Sequence, residues 1–378
     1  MRDQSKHILF LATEYAAGMR PYASAIIHNL WQPGDHVLVV AKDDTVKADF
    51  ADLPVDAVTW IDYPTSKLRK LAFRYWPSRL LRTIERLVAD CGLQLIYCLT
   101  GELVLAGACG RLQRMAPLLY TIHDAEEHDS RFEGLLTWLK HKMLIAWPQR
   151  HLIRKTRYQV TNSKEQQRIV KERYPYHKVW YARFPTLVND DIEKGDKKVL
   201  ELAAVDDGYI LFFGNLQLYK GVHLLYNAYL SHPELQGRHL VIAGAGYIYF
   251  KRREDETDRV IFINRYVDDS EVKDLFTRAA LVVYPYISAT QSGVVSIASY
   301  FGKPMVLSDL PFFKQTCEEC EGIEFFPTGD REGLAAAIAA SLETREADTR
   351  ALYDREYAHQ ALHAALDNIT AVIMATKD

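Results

Sequence analysis

The sequence predicts an α/β protein built on doubly wound parallel sheets, and three observations carry that prediction. Short apolar runs recur along the chain, separated by stretches with helical patterning. The runs are continuous rather than alternating, as strands covered on both faces must be. The alternation stops at a charged, weakly patterned stretch, Asn189 to Asp207, and then begins again. A chain of 378 residues favours two domains. The expected division is residues 1–190, a linker at 191–208, a second domain at 209–350 and a last helical segment at 351–378.

In the first half the run His7 to Ala12 is the first strand, followed by a loop to Pro21 and a helix from Tyr22 to Trp31. Val37 to Ala41, Val58 to Ile61, Leu95 to Cys98, Leu118 to Ile122 and Gln159 to Thr161 are the further strands. In the second half the strands are Tyr209 to Phe213, His239 to Ala243, Val260 to Ile263, Leu281 to Tyr284 and Met305 to Leu307. Helices are expected over Val222 to Leu230, Asp269 to Ala279 and Arg331 to Leu342. Two Rossmann-like halves then face each other across a cleft, with ligands beyond the carboxyl ends of the strands. The pattern from Ala351 to Ala375 has no strand after it and could pack back on the first domain.

Composition narrows the function classes. An apolar content of 48% with 25% charged residues fits a soluble globular protein. The net charge of −3 argues against a polyanion binder, and no nucleic-acid recognition module is visible. Five cysteines do not make a disulfide framework, and Cys317-Glu318-Glu319-Cys320 is a lone CxxC without a second half, so reduced thiols are expected. The charged start, Met1 to Lys6, runs into a strand and does not read as a signal peptide. No apolar run reaches the roughly 18 residues of a membrane span. A cytoplasmic setting follows as an expectation. A dehydrogenase is disfavoured: Gly244-Ala245-Gly246 follows a strand, but Tyr249 stands where the third glycine belongs.

The most informative stretch is Pro285-Tyr286-Ile287-Ser288-Ala289-Thr290-Gln291-Ser292-Gly293-Val294, with Gly302-Lys303-Pro304 after it. A strand, a small-residue loop and a helix start can offer unpaired backbone N–H groups to a phosphate. Gly293 lacks a Cβ, so a diphosphate could come close there. An ordinary βα turn is the alternative.

The pieces around that loop come in a familiar order. Phe213-Gly214-Asn215, Tyr219-Lys220-Gly221-Val222, Ile242 to Gly246, Phe262 to Val267, Phe276 to Ala280, Gln291-Ser292-Gly293 and Gly302 to Val306 together resemble the donor-binding half of GT-B glycosyltransferases of family 4, over about residues 209 to 342. In the first half Tyr120-Thr121-Ile122-His123-Asp124 and Val160-Thr161-Asn162-Ser163 are similar in outline. The loop resembles that of a subgroup with Thr-Gln-Ser-Gly-Val at this place. The resemblance implies an α/β GT-B fold and transfer of a sugar from a nucleotide sugar, with retention, to a glycan or lipid-linked acceptor in polysaccharide or glycolipid assembly.

It also implies roles. Lys220 would sit on the donor phosphates and offset the charge growing on the leaving diphosphate. Gly293 and Val294 would give backbone N–H groups to the same phosphates, and Gly214, Asn215 and Gly246 would lie around them. Tyr266 and Val267 fall where the family's backbone reads the base, and Arg265 could face base or diphosphate or simply be solvated. His123 matches the family's histidine near the donor sugar. No metal and no cofactor are expected, and the leaving phosphate is thought to take the acceptor's proton. Two departures stand out. The family usually has an arginine near Asn215, and two acids eight positions apart where this chain has Ala289 and Ile297. Gln291 or Ser292 could replace the first acid's contact, and the ribose contact is unassigned. On the acceptor side Gly18 and Arg20 lie beyond the first strand, with a simple loop as the alternative. Asp124 and His128 are candidates for orienting the acceptor hydroxyl. His123 and His128 lie five apart, which does not put them on one helix face as a metal-binding i, i+4 pair would be.

Residues 67–86 hold seven basic residues and one acid, and residues 138–157 six basic residues and no acid, with Trp76, Trp138 and Trp147 interleaved. Such segments suit the anionic inner face of a cell membrane, a peripheral association. Two solvated helix faces are the alternative. Two rival functions remain open: a GT-B nucleotide-sugar epimerase, and a catalytically silent nucleotide-sugar-binding protein.

Overall fold

The structure is a computed structural model. It describes residues 7–15, 19–42, 44–100, 102–125, 146–289, 291–317, 319–343 and 349–375. The chain forms two units: Met1–Pro185 with His359–Asp378, and Thr186–Ala358.

The first unit is built on a parallel sheet of seven strands: β1 Ile8–Ala12, β2 His36–Ala41, β3 Val58–Asp62, β4 Leu95–Thr100, β5 Leu118–Ile122, β6 Tyr158–Thr161 and β7 Lys178–Tyr181, in the order β3-β2-β1-β4-β5-β6-β7. Side chains alternate across the sheet. Leu9 and Leu11 of β1 face a core shared with helices Lys67–Tyr75, Ser78–Asp90, Trp147–Lys155 and Lys164–Arg173. Ile8, Phe10 and Ala12 face the other core, closed by helices Met19–Leu30 and His359–Ala375. Because both faces are covered, β1, β2, β4 and β5 are buried along their whole length.

The second unit repeats the design with six parallel strands: β8 Tyr209–Phe213, β9 Leu240–Ala243, β10 Val260–Ile263, β11 Ala279–Tyr284, β12 Met305–Ser308 and β13 Ile323–Phe326, in the order β10-β9-β8-β11-β12-β13. Each sheet reverses its winding once. The reversal lies between β1 and β4 in the first unit and between β8 and β11 in the second. The carboxyl ends flanking such a reversal are where ligands bind in open α/β sheets.

Two boundaries differ from the sequence expectation. The stretch expected as a linker is an ordered strap of the second unit. Asn189 caps the helix Asp190–Lys194 by accepting from Ile192 N at 2.9 Å. Val199 and Leu202 are buried. The buried Asp274 carboxylate accepts from Val199 N at 3.0 Å and Lys198 Nζ at 2.8 Å. Burial works to raise the Asp274 pKa, and Lys198, the Val199 N–H and Arg278 outweigh it and hold the carboxyl below its ordinary range. The charges that make this strap look like a linker are spent on such pairs, and its few buried residues follow no helical or strand period. The segment after 350 is also two elements rather than one. Helix Arg350–Glu356 stays with the second unit, where Tyr353 donates to Thr186 Oγ1 at 3.0 Å. His359–Ala375 goes with the first.

Candidate functional site

In the second unit, three loops meet beyond the carboxyl ends of β8, β9 and β11. The backbone stitches them together. Gly214 N donates to Ala243 O, and Leu216 N to Ala245 O, each at 2.9 Å. Ile287 N donates to Tyr219 O at 2.7 Å, so the loop after β11 is hydrogen-bonded to the loop after β8 across the winding reversal. Gly214, Gly244 and Gly246 have φ of 140°, 145° and 151°, conformations that side-chain-bearing residues rarely adopt. A Cβ on Gly244 would run into the Gly214 carbonyl. These glycines let the strand ends pack close enough to share hydrogen bonds.

Lys220 lies at this junction. It is only 9% exposed, and its ammonium stands 5.4 Å from the centre of the Tyr286 ring. A Cβ on Gly214 would lie 2.8 Å from Lys220 Nζ, so the ammonium rests against the bare backbone of Gly214. Among the described residues no carboxylate pairs with it. Burial therefore lowers its pKa below the ordinary 10.5, and only the neighbouring Tyr219 pulls the other way. A buried, uncompensated cation is costly to the fold, and such groups gather where an anion is to be bound. Tyr286 has no role in the sequence reading. Its ring is 2% exposed, and burial raises its pKa while Ser292 counteracts. The only signal for it was its place beside Pro285.

The remaining donor-side residues fall as follows. Gly293 precedes helix Val294–Tyr300 with ordinary φ −72° and ψ −23°, so it serves by lacking a side chain rather than by left-handed freedom. Ser296 fixes this helix start, donating to Gly293 O at 2.6 Å and accepting from Leu187 N at 3.1 Å. Gln291 is half-buried and Ser292 buried, while Asn215 and Gly246 are exposed. Gly246 N donates to Asn264 Oδ1 at 3.1 Å. Val267 is buried in the core, and Tyr266 is 67% exposed. Ile297 is 3% exposed and belongs to the core, so that position contributes packing rather than a polar contact.

Arg265 departs from the expectation. Its Nε and Nη2 reach Glu201 at 2.7 and 2.9 Å, Nη1 and Nη2 reach Glu271 at 2.7 and 2.8 Å, and Nη1 also reaches Tyr266 O at 3.2 Å. All five guanidinium N–H groups are thereby used, and neither base nor diphosphate is left a donor. Arg265 ties the strap to the helix Asp269–Thr277. Arg265→Ala should lower stability by about 1–2 kcal/mol in urea unfolding and leave nucleotide affinity, measured by calorimetry, unchanged.

In the first unit His123 follows β5. It is 6% exposed, its Nε2 lies 2.8 Å from Leu99 O, and the Tyr22 ring meets it edge-on at 4.9 Å. The next two residues are fixed by glutamines: Gln149 donates to Asp124 O, and Gln166 accepts from Ala125 N. Arg20 departs from the acceptor expectation along one edge. Its Nε and Nη2 grip Asp49 at 2.7 and 2.5 Å, and Tyr15 donates to the same carboxylate at 2.6 Å. Gly18 and His128 lie outside the described residues. Among the described residues no three His, Cys, Asp or Glu side chains gather to hold a metal ion. The thiols of Cys317 and Cys320 are unbridged, with Cys317 fully buried and Cys320 Sγ 3.1 Å from Arg355.

Residues 207–344, nearly all of the second unit's sheet and helices, match the family of glycosyl transferases group 1. The chain carries a group 1 glycosyltransferase domain. Solved structures show the fold of the whole. Anabaena HepE, crystallised with UDP and glucose, aligns with a TM-score of 0.69 at 18% identity, covering 97% of this chain and 100% of that one. Sucrose-phosphate synthase from Thermosynechococcus elongatus aligns at 0.69 and 16% identity, over 98% and 100%. UDP-GlcNAc 2-epimerase from Methanocaldococcus jannaschii aligns at 0.61 and 12%, over 97% and 99%. No curated protein sequence matches the chain. The fold is GT-B, two Rossmann-like domains, and the group 1 domain makes the chain a glycosyltransferase.

Proposed function

We propose that this glycosyltransferase takes a sugar from a nucleotide sugar and passes it, with retention at the anomeric carbon, to a glycan or lipid-linked acceptor in polysaccharide or glycolipid assembly at the cytoplasmic face of the membrane. The carrying observation is Lys220, a buried cation without a described carboxylate partner, at the winding reversal of the group 1 domain. There it meets the donor diphosphate together with the N–H groups of Gly293 and Val294 at the start of helix Val294–Tyr300, where the first N–H groups have no intrahelical partner. As the bond from the anomeric carbon to phosphate oxygen breaks, negative charge grows on the diphosphate, and Lys220 stabilises it. The acceptor oxygen bonds the anomeric carbon on the face the diphosphate leaves, and its proton passes to the leaving phosphate. His123 acts beside the donor sugar. Asp124 and His128 orient the acceptor.

The test is incubation with UDP-, GDP- and ADP-sugars, following nucleoside diphosphate release. UDP-glucose is the first choice, since the similarly folded HepE was crystallised with it. Release dependent on added acceptor, with the product keeping the donor's anomeric configuration by NMR, is the expected result. Conversion of the donor with no acceptor present would mark an epimerase. Binding to every donor class without turnover would mark a silent binding protein.

A further inference from the structure

The helix Lys67–Tyr75 is oriented oddly for a surface helix. Phe73 alone of its side chains is buried. Leu68, Leu71, Tyr75 and the adjoining Trp76 are 82%, 51%, 55% and 76% exposed. At about 100° per residue Leu68, Leu71 and Tyr75 fall on one arc of roughly 60°, and Trp76 follows at the end of the helix, so an apolar stripe faces outward rather than toward the core. Lys67, Lys70 and Arg74 border that stripe on one side and Arg69 on the other. Residues 63 to 84 contain no acid. The stripe therefore has a cationic frame on both edges and no neighbouring carboxylate of its own helix to neutralise it.

The fold adds a second piece. The second basic segment continues outside the described residues before 146, but its described part forms helix Trp147–Lys155. Trp147 is 61% exposed, and Arg150, Arg154 and Lys155 are exposed. This helix and Lys67–Tyr75 lie on the same side of the first unit's sheet, sharing one core, and the short helix Glu102–Leu105 packs against both. Two segments some seventy residues apart in the chain thus bring tryptophans and cations to one layer. Burial chiefly, with the Arg154 and Lys155 charges second, holds His151 below its ordinary pKa.

We propose that this layer docks on an anionic bilayer surface, with Leu68, Leu71, Tyr75 and Trp76 entering the headgroup boundary and the surrounding lysines and arginines meeting lipid phosphates. Exposed apolar residues need a non-aqueous partner, and a continuous cationic frame selects one of negative charge. Among the described residues no helix is long and apolar enough to cross a membrane, so the contact is a surface one. The inference rests on the donor-transfer reading only for its purpose, which is to present a lipid-linked acceptor. The surface itself belongs to the first unit.

The experiment is sedimentation of the full chain with vesicles of phosphatidylcholine alone and of phosphatidylcholine with phosphatidylglycerol. Binding to the anionic vesicles only, weakened by salt, is expected. Neutralising two cations, Lys67→Gln with Lys70→Gln, should reduce partition roughly thirtyfold. Leu68→Ser with Trp76→Ser should abolish it while the circular dichroism spectrum stays that of the parent. Equal partition into both vesicles, none into either, or full binding by the serine variant would overturn the proposal. So would a solution dimer that the serine variant dissolves with no change on vesicles, which would make the stripe a self-interface. Nucleotide binding, followed by calorimetry on the same samples, separates the two readings. If vesicles fail while nucleotide binds, docking alone is rejected; if nucleotide fails while vesicles bind, the donor reading alone is rejected.

Discussion

Lys220→Met will slow sugar transfer by about two to three orders of magnitude and at the same time raise the melting temperature of the ligand-free protein. Both effects come from one fact: the ammonium is buried without a described counter-charge. Methionine keeps the length of the stem and removes the charge. In the proposed role of offsetting the leaving diphosphate, its loss should cost about 10²- to 10³-fold in kcat. Removing a desolvated, unpaired polar head should stabilise the free protein by about 1–3 kcal/mol, or roughly 2–4 °C per kcal/mol for a unit of this size. The pH dependence follows from the lowered pKa. Below the folded-state value the lysine is charged in both folded and unfolded chains, and the fold bears the full cost of burying it. Between that value and the ordinary 10.5, the unfolded chain binds the proton and the folded one does not, so wild-type stability rises with pH. The variant's advantage is thus greatest near neutrality and fades as pH approaches the ordinary value. In the proposed site donor binding supplies a negative charge beside Lys220, so donor affinity is expected to fall as pH climbs through the free protein's Lys220 pKa. Differential scanning calorimetry with and without nucleoside diphosphate measures the stability and binding effects, and nucleoside diphosphate release the catalytic one. Unchanged diphosphate release by the variant would remove the lysine from the mechanism.

The same physics explains what the sequence disclosed. Interior strands are covered on both faces, so β1, β2, β4, β8 and β9 stand out as continuous apolar runs. The outermost strands β7 and β13 were missed, because Lys178-Val-Trp-Tyr and Ile323-Glu-Phe-Phe are short, partly exposed and carry a charge. Lys220 was singled out only by the resemblance of Tyr219-Lys220-Gly221-Val222 to the family's segment, not by composition or spacing. That no described carboxylate pairs with it was not legible, since that depends on which carboxylates the fold brings near. Arg265 shows the converse. In sequence it is a cation beside a candidate base-binding segment. In the fold Glu201, which comes from the supposed linker, and Glu271 occupy it. Long-range ion pairs have no local period, so no reading of spacing could assign it.

Gly221→Ala should disable the enzyme more thoroughly than most side-chain deletions, without touching any side chain that meets substrate. Gly221 has φ 65° and ψ 20°, a left-handed residue between the Lys220 turn and the helix Val222–Ser231. An alanine there pays about 1–2 kcal/mol in backbone strain. Its Cβ would also press on the carbonyl oxygen of Pro285, which is backbone and cannot rotate away. Pro285 begins the loop whose Ile287 N donates to Tyr219 O, and Tyr286 supplies the ring beneath the Lys220 ammonium. Relief of the clash therefore has to separate the two loops that carry the proposed donor site. A total loss of about 3–5 kcal/mol in urea unfolding is expected, together with loss of nucleotide binding in whatever protein remains folded. Gly329→Ala isolates the strain contribution. Gly329 has φ 85°, but nothing lies within 4 Å of where its Cβ would be, so the cost should stay near the strain value and nucleotide binding should persist. The difference between the two variants measures the close approach of the loops at the winding reversal. Equal losses from both would mean that the loops are not in contact, and the assignment of Lys220 and the Pro285–Gly293 loop to one anion site would fall with it.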